Sequence, residues 1–331
     1  MKYFISILFL FLFLFLFLSV ANAQQLILPA GFKATVVVEE LGRNRHIVVS
    51  PGGDIYVKLS TLLNGKGIII LRKNATSGKY QVYKSFGDYT GTGIAISGNY
   101  LYASSDNAVY RYDLKNNEVV NPEKPEVLIS GFSENNQHGS KSITLDDAGN
   151  LYVNIGAPSN SCQKRDRSEG SMGMDPCPQL ETSAGIWQFR ADKTGQTFKN
   201  GIRYGAGIRN TVGLDWNRTI DQLFVMQHGR DQLYQNFPKL YTLQQGAELP
   251  AEEMFMVTRG ADFGWPYCYY DQIQQKRVLA PEYGGDGKKE GRCGKYGKPV
   301  IAFPGHWAPN AMVFYTGSSF PEKYRNGAFI A

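Results

Sequence analysis

The stretch NNQHGSKSITLDDAGNLYVNIG, Asn135–Gly156, decides the fold. It places one histidine, His138, on a loop before two short candidate strands, Ser142–Leu145 and Leu151–Ile155. The residues between these strands, Asp-Asp-Ala-Gly-Asn, have turn chemistry, because Gly and Asn tolerate positive φ. The β-branched and aromatic residues on either side fit a pleated surface. The stretch therefore predicts a β-hairpin with a titratable side chain at its mouth.

The same hairpin pattern recurs along the chain, each time with an aromatic residue on the second strand. The markers are Tyr56, Tyr102, Tyr152 and Phe224, with a weaker copy at 311–315. The first three markers lie roughly 50 residues apart, which is typical of propeller blades with four short strands each. The longer gap before Phe224 leaves room for an insertion. The repeats therefore predict one all-β propeller domain over residues 24–331, with another early strand at 33–38.

The first 23 residues have the pattern of a signal peptide. Lys2 precedes an apolar run, Phe4–Val20, and Ala21-Asn22-Ala23 forms a small-residue cleavage site. The run is long enough for a membrane anchor to be an alternative. The adjacent cleavage site favours a removed signal, an exported mature chain and no membrane span after removal.

The composition argues against a nucleic-acid partner and favours disulfide bonds. The formal net charge is +6 and the basic residues are scattered, so a nucleic-acid-binding face is not expected. Four cysteines in an exported chain favour disulfides. Nearest-neighbour pairing gives Cys162–Cys177 and Cys268–Cys293, one of three possible pairings. The spacing fits neither a haem attachment motif nor a zinc site.

Several motifs together resemble one known family. In chain order they are QHGSKSITLDDAGNLYVNIG, GIRN, QHGRDQL, GADFGWPYCYYD, PEYGGDG and FPGHWAP. This order is similar to that of the soluble glucose/sorbosone dehydrogenases that use pyrroloquinoline quinone (PQQ), and most similar to the sorbosone-dehydrogenase-type branch. The resemblance covers nearly all of the mature chain and implies a six-bladed β-propeller of four-stranded blades. Family members continue past a segment like Gly327–Ala331, so we expect this chain to be incomplete at its C-terminus.

The resemblance also implies roles for particular residues. His138 corresponds to the general base, and the pair Arg209 and Asn210 corresponds to the residues that contact the quinone. The main-chain carbonyls of Gly229 and Arg230 correspond to ligands of the Ca²⁺ ion that also holds PQQ. The glucose-oxidising branch often has proline where Arg230 stands, so this loop departs from that branch. His228 is a candidate lining residue of the cofactor site, and Trp265 and Tyr267 are candidate substrate contacts.

The chemistry of these residue types supports the same reading. Oxidation of a hemiacetal or an aldehyde hydrate needs a base for the hydroxyl proton, which histidine can supply near neutral pH. It also needs a hydride acceptor and a positive group beside it, and arginine presents a planar fork of donors. Ca²⁺ prefers oxygen ligands, including main-chain carbonyls. The expected partners are a sugar or aldehyde and an external electron acceptor.

Two other function classes fit a propeller. One is a Ca²⁺-dependent hydrolase or lactonase, which would need carboxylates that converge on the metal. The other is a non-catalytic propeller that binds carbohydrate or protein. Fold alone does not separate these classes from an oxidoreductase.

Overall fold

The computed structural model describes residues 27–133 and 137–331. The predicted signal peptide, residues 1–23, lies outside the described residues. The chain divides into two compact units, Met1–Glu39 and Glu40–Ala331. In the first unit, the Phe32 N–H donates to the Pro29 carbonyl across a turn at 3.1 Å. The strand expected at 33–38 does not form, so that prediction is wrong.

The described part of the second unit contains four sheets of four or more strands, numbered in chain order. The first sheet has the order β1 (Asn44–Val49), β2 (Ile55–Leu63), β3 (Lys66–Lys73), β4 (Tyr80–Phe86). The second has β5 (Ile94–Ser97), β6 (Tyr100–Ser104), β7 (Val109–Lys115), β9 (Glu126–Ser130), β13 (Gln196–Thr197), with β8 (Glu118–Val119) beside β7. The third has β10 (Ile143–Leu145), β11 (Asn150–Ile155), β12 (Gly185–Arg190), β14 (Ile202–Ala206), β18 (Ala261–Asp262). The fourth has β15 (Thr211–Asn217), β16 (Gln222–Gln227), β17 (Glu252–Val257), β21 (Ile301–Phe303).

Two hairpins and several short helices complete the described secondary structure. The hairpins pair β19 (Cys268–Asp271) with β20 (Lys276–Leu279) and β22 (Met312–Phe314) with β23 (Ala328–Ile330). The α-helices are α1 (Leu233–Asn236) and α2 (Leu243–Glu248), and the 3₁₀ turns are Pro178–Glu181, Phe198–Asn200, Pro281–Tyr283, Gly291–Lys295 and Glu322–Tyr324. None of the helices in these residues has the length and hydropathy needed to cross a bilayer.

The sheets are the blades of an all-β propeller, as the repeats predict. The first strands β1, β5, β10, β15 and β22 contact one another in that order, so they form the inner wall. The aromatic markers lie on the second strands: Tyr56 on β2, Tyr102 on β6, Tyr152 on β11 and Phe224 on β16. All four side chains are buried. The residues beside each marker in the sequence are apolar as well, so these second strands are buried on both faces.

The hydrophobic core lies between adjacent blades. One buried cluster joins the first and second blades through Tyr56 and Leu101. Another joins the third and fourth blades, where the Tyr152 ring stacks on Trp216 at a centroid distance of 5.2 Å. Burial of apolar side chains contributes about 25 cal/mol per Å². Contacts between adjacent blades therefore contribute to the stability of each blade.

Two long insertions leave the blades and carry the cysteines. The segment between β11 and β12 contains the disulfide Cys162–Cys177, and the segment between β17 and β21 contains Cys268–Cys293. Nearest-neighbour pairing is therefore confirmed. All four cysteines belong to one buried cluster, so the two insertions pack against each other. This packing brings distant loops to the ends of β11, β14 and β16.

Candidate active site

His138 lies on a strained loop just before β10. Its backbone has φ +54°, which is uncommon for a residue with a side chain. The ring Nδ1 donates to the Ala157 carbonyl at 2.6 Å, since a carbonyl oxygen can only accept. That bond leaves the lone pair on Nε2, the nitrogen a base would use. Burial, followed by the charge of Arg209, lowers the pKa of His138 to about 4.

This pKa gives a direct prediction for the titration of His138. The folded-state value lies below the ordinary 6.5, so the ring stays neutral until the pH falls to about 4. Between these two pH values the unfolded chain binds a proton that the folded chain does not, so stability falls as the pH falls. The chain has 4 histidines, which makes ring-proton NMR practicable. We expect the signal that disappears in His138→Gln to titrate near pH 4, and a midpoint near 6.5 would contradict the buried geometry.

A glycine makes room for the histidine loop. A Cβ on Gly156 would lie 2.6 Å from the His138 Cβ and 2.8 Å from the Asn210 Oδ1. The Asn210 Oδ1 also accepts a hydrogen bond from Asn154 Nδ2 at 3.2 Å. Only a residue without a side chain lets these two predicted site residues approach from either side.

Gly156→Ala tests this approach. We expect it to lower the free energy of unfolding by about 1–3 kcal/mol, because overpacking forces neighbours to move. It should also displace His138 and so reduce turnover more than it reduces substrate binding. Gly294→Ala is the control, since a Cβ there meets nothing within 4 Å. Equal melting temperatures for the two variants, measured by calorimetry, would show that the loop is not closely packed.

Arg209 is a buried cation held by groups from two other segments, the insertion that contains Asn160 and the segment after β16. It follows β14 and is only 3% exposed. Its Nε and Nη2 donate to the main-chain and side-chain oxygens of Asn160 at 3.1 and 3.0 Å. Its Nη1 donates to the Gly229 carbonyl at 2.8 Å, and Nη2 also donates to Asp231 at 2.9 Å. Burial lowers the pKa of Arg209 to about 10, so the guanidinium is still charged at neutral pH.

Asn160 is a further residue of the candidate site, and no sequence motif indicates it. It is fully buried in the disulfide-bonded insertion. Its side chain accepts from the Asp231 N–H at 2.8 Å and donates to the Asp231 carbonyl at 2.9 Å. Its carbonyl accepts from both Arg209 and Trp265 Nε1. Asn160 therefore fixes Arg209 relative to the segment after β16. The dipeptides Ser159-Asn160 and Asn160-Ser161 gave no signal of this, because the partners lie 49 to 105 residues away.

The segment after β16 carries the predicted metal carbonyls of Gly229 and Arg230. The Gly229 N–H donates to Glu252 Oε2 at 3.2 Å, and burial raises the pKa of this carboxyl to about 7. The Arg230 side chain is buried against Glu282, with 2.6 Å between Nη1 and Oε1. Contacts of the Gly229 backbone and of the Arg230 side chain thus hold this segment in place. Among residues 27–133 and 137–331, no group of three His, Cys, Asp or Glu side chains could hold a metal.

The remaining predicted site residues lie around this centre. His228 donates from Nε2 to the Pro309 carbonyl at 2.9 Å, and its main-chain N–H donates to the Asn210 carbonyl at 2.9 Å. A small cavity is lined by His228, Arg209 and Trp265, among others. Trp265 is 5% exposed and Tyr267 is 9% exposed, and the Tyr267 hydroxyl accepts from the Cys177 N–H at 2.9 Å. Both rings also belong to the core of the insertions.

Solved structures with the same fold come from fungi and bacteria. The calcium structure of a Trichoderma reesei enzyme of carbohydrate-active family AA12 is 19% identical, with a TM-score of 0.66, covering 85% of this chain and 72% of that one. The holo PQQ domain of pyranose dehydrogenase from Coprinopsis cinerea is 20% identical, with a TM-score of 0.64 and coverages of 85% and 70%. The soluble aldose sugar dehydrogenase of Escherichia coli, in its apo form, is 14% identical, with a TM-score of 0.51 and coverages of 88% and 80%. These likenesses support the propeller fold.

Two sequence comparisons add to this. An uncharacterized protein of Borreliella burgdorferi is 29% identical over 126 residues, which span 38% of this chain and 28% of that protein. The family model described as TrAA12-like matches residues 26–331. With the match extending over nearly the whole chain, the protein belongs to the TrAA12-like family.

Proposed function

We propose that this protein is an exported quinoprotein that oxidises an aldose or a sugar aldehyde, of the glucose or sorbosone kind, with PQQ and Ca²⁺ as its cofactors. The observation that carries this proposal is the 2.8 Å contact between Arg209 Nη1 and the Gly229 carbonyl. It joins the guanidinium expected at the quinone to the segment expected at the metal. The proposed branch is the sorbosone-dehydrogenase type.

The charges around Arg209 fit a quinone that carries carboxylates. The guanidiniums of Arg209 and Arg167 both donate to one carboxylate, Asp231, at 2.9 and 3.0 Å. The two cations thus share the Asp231 carboxylate, and Asp166 lies 4.0 Å from Arg167 Nε, so Arg209 has only a shared carboxylate as counter-ion. Guanidinium groups bind carboxylates in a planar, two-point geometry. Arg209, Asn210 and His228 are the residues that would hold the quinone.

The Gly229 and Arg230 carbonyls fit a calcium ion. A carbonyl oxygen has two lone pairs, so the bond from Arg209 leaves one on Gly229 for a metal. Because side-chain ligands do not converge in the described residues, an ion here would depend on main-chain oxygens and on the quinone. Ca²⁺ accepts such a set of oxygen ligands in flexible geometry.

The protein's own groups account for the proton transfer. His138 Nε2 takes the proton from the substrate hydroxyl while the Nδ1–Ala157 bond keeps the ring in the required tautomer. PQQ, when bound, would supply the acceptor for the hydride from the carbon that carries this hydroxyl. The oxidation would convert a hemiacetal into a lactone. Arg209 would stabilise negative charge on the quinone. The guanidinium has five N–H groups, and the four contacts described above leave one of them for this purpose. An external electron acceptor would complete the turnover.

The proposal includes a sugar substrate and an exported location. The names of the pyranose dehydrogenase and the aldose sugar dehydrogenase support a sugar substrate. Trp265 and Tyr267 remain proposed substrate contacts. The two disulfides fit an oxidising compartment, which supports export. The four blades and the β22–β23 hairpin are proposed to belong to a six-bladed ring.

Reconstitution tests the proposal. The purified protein is incubated with PQQ and Ca²⁺, and dye reduction is followed with a panel of aldoses and sorbosone. Sugar-dependent reduction that requires both cofactors is the expected result. Failure to bind PQQ at any Ca²⁺ concentration would contradict the proposal and leave a hydrolase or a non-catalytic binding propeller.

A further inference from the structure

We propose that Arg167 is a positioning residue, which ties the loop of His138 to the segment that carries Gly229 and Arg230. The inference rests on the proposed function for its catalytic meaning. No motif in the sequence singled out Arg167. It lies in the insertion closed by Cys162–Cys177, far from both segments along the chain.

The three contacts of the Arg167 guanidinium define the tie. Its Nε donates to Gln137 Oε1 at 3.1 Å, and Gln137 is the neighbour of His138. Its Nη1 donates to Gln232 Oε1 at 3.2 Å, and its Nη2 donates to Asp231 Oδ2 at 3.0 Å. Asp231 and Gln232 directly follow the predicted metal carbonyls. One planar group therefore sets the spacing between the base and the cofactor segment.

The backbone at these points is strained. His138, Arg167 and Gln232 have φ values of +54°, +52° and +64°. Residues with side chains persist in this region only where the surroundings fix them, and such residues cluster at functional sites. Here the same guanidinium contacts Gln232 and the neighbour of His138. Removal of the Arg167 guanidinium would release the strained turns at His138 and at Gln232 together.

The contacts of the insertion hold the backbone around Arg167 in a fixed position. The adjacent Asp166 accepts from Gln137 Nε2 at 2.7 Å through Oδ2, and from the Asn160 N–H at 3.0 Å through Oδ1. Asn160 is in turn bound to Arg209 and Asp231. Cys162 is buried next to these residues and is joined to Cys177. The contacts of Asp166 and Asn160 thus hold the backbone next to Arg167 in place, and the Arg167 side chain is one-third exposed.

The charge of Arg167 also affects the pKa of His138, and this effect can be measured in the cofactor-free protein. The charged groups that face His138 are Arg209, Arg167 and Asp231. Burial and Arg209 are the larger causes of the lowered pKa of His138, and Arg167 acts in the same direction. Loss of Arg167 should therefore make the imidazole easier to protonate.

The test compares three variants of the full protein. Arg167→Gln removes the charge and the fork, and Arg167→Lys keeps the charge but cannot reach all three acceptors. Arg165→Gln is the matched control, because Arg165 is an exposed arginine of the same loop. In the cofactor-free protein, we expect His138 to titrate about 0.5–1 pH unit higher in Arg167→Gln than in the control. Identical titrations would overturn the proposal.

Kinetics of the loaded enzyme provide the second measurement. We expect kcat to fall about 10–100-fold in Arg167→Gln, since a small displacement of the base has a large effect on rate. The KM for sugar should change less than about 3-fold, and Arg167→Lys should be intermediate. Equal kcat values for Arg167→Gln and Arg165→Gln would overturn the positioning role. If the unmodified protein shows no quinone-dependent turnover, the proposed function fails, and the His138 titration still decides whether the tie exists.

Discussion

His138→Gln should abolish sugar oxidation and leave PQQ binding intact. A positioned general base contributes about 10²–10⁴ in rate, so kcat should fall by that factor. Glutamine is close to histidine in size, and its amide can still donate to the Ala157 carbonyl, which His138 contacts at 2.6 Å. The loop should therefore keep its shape. The measurement is kcat at saturating sugar, with the PQQ dissociation constant measured in parallel.

The control for this variant is another histidine with the same kind of contact. His46 donates from Nε2 to the Asn310 carbonyl at 2.8 Å, and burial lowers its pKa as well. His46→Gln should keep kcat within about 3-fold of the unmodified protein. If His46→Gln and His138→Gln lower kcat equally, loss of an imidazole perturbs the fold generally, and the assignment of His138 as the base is wrong.

Arg209→Gln should have the largest effect on stability and also prevent PQQ binding. The change removes the charged donor from the buried oxygens of Asn160, and it leaves Asp231 with Arg167 as its remaining arginine partner. Breaking such a network costs about 3 kcal/mol of folding free energy. This figure is at the low end for a buried ion pair, because solvent screens the partly exposed Asp231. Chemical unfolding followed by tryptophan fluorescence measures the loss. Arg209→Lys should rescue little, because an ammonium group cannot replace the fork.

An exposed arginine gives the comparison for Arg209. Arg218 pairs with Asp147 at 3.0 Å, with 48% and 68% of the two side chains exposed. Solvent-exposed pairs contribute at most about 1 kcal/mol, so Arg218→Gln should change stability little. If the two variants unfold at the same denaturant concentration and both bind PQQ, Arg209 is neither the structural centre of the site nor its quinone contact.

The positions of the blades could be predicted because they depend on local pattern. Each marker aromatic stands in a short apolar run that follows a turn containing Gly or Asn, and this pattern predicts the second strand of a hairpin. Tyr56, Tyr102, Tyr152 and Phe224 accordingly lie on the second strands of the four blades. The resemblance read from the motifs is likewise confirmed at the level of the family. The expected strand at 33–38 failed because β-branched residues alone do not provide a pairing partner.

The outer edges of the blades were not predictable from the same pattern. The second and third blades each gain a fifth strand, β13 on β9 and β18 on β14, both parallel. These strands have 2 residues each, too few for any period to appear in the sequence. They cover edges that would otherwise expose unpaired main-chain groups. Their place is set by the long connections that return to the sheet.

The site was predictable only in part, for a physical reason. His138, Arg209 and Gly229 are carried by motifs with fixed local order, and the structure brings Arg209 and Gly229 into contact. Asn160 and Arg167 lie in a polar insertion with no periodicity. Their contacts with the other site segments span 30 to 105 residues and depend on how the disulfide-bonded loop packs. Such contacts follow from the folded structure and leave no trace in local sequence.

The most direct test of the account is to locate the cofactors in a crystal of the protein grown with PQQ and Ca²⁺. We predict quinone density against the guanidinium of Arg209, with the imidazole of His138 on the substrate side. We also predict a calcium ion at about 2.3–2.6 Å from the carbonyl oxygens of Gly229 and Arg230. Quinone density elsewhere on the propeller, with these four groups engaged only with one another, would contradict the account.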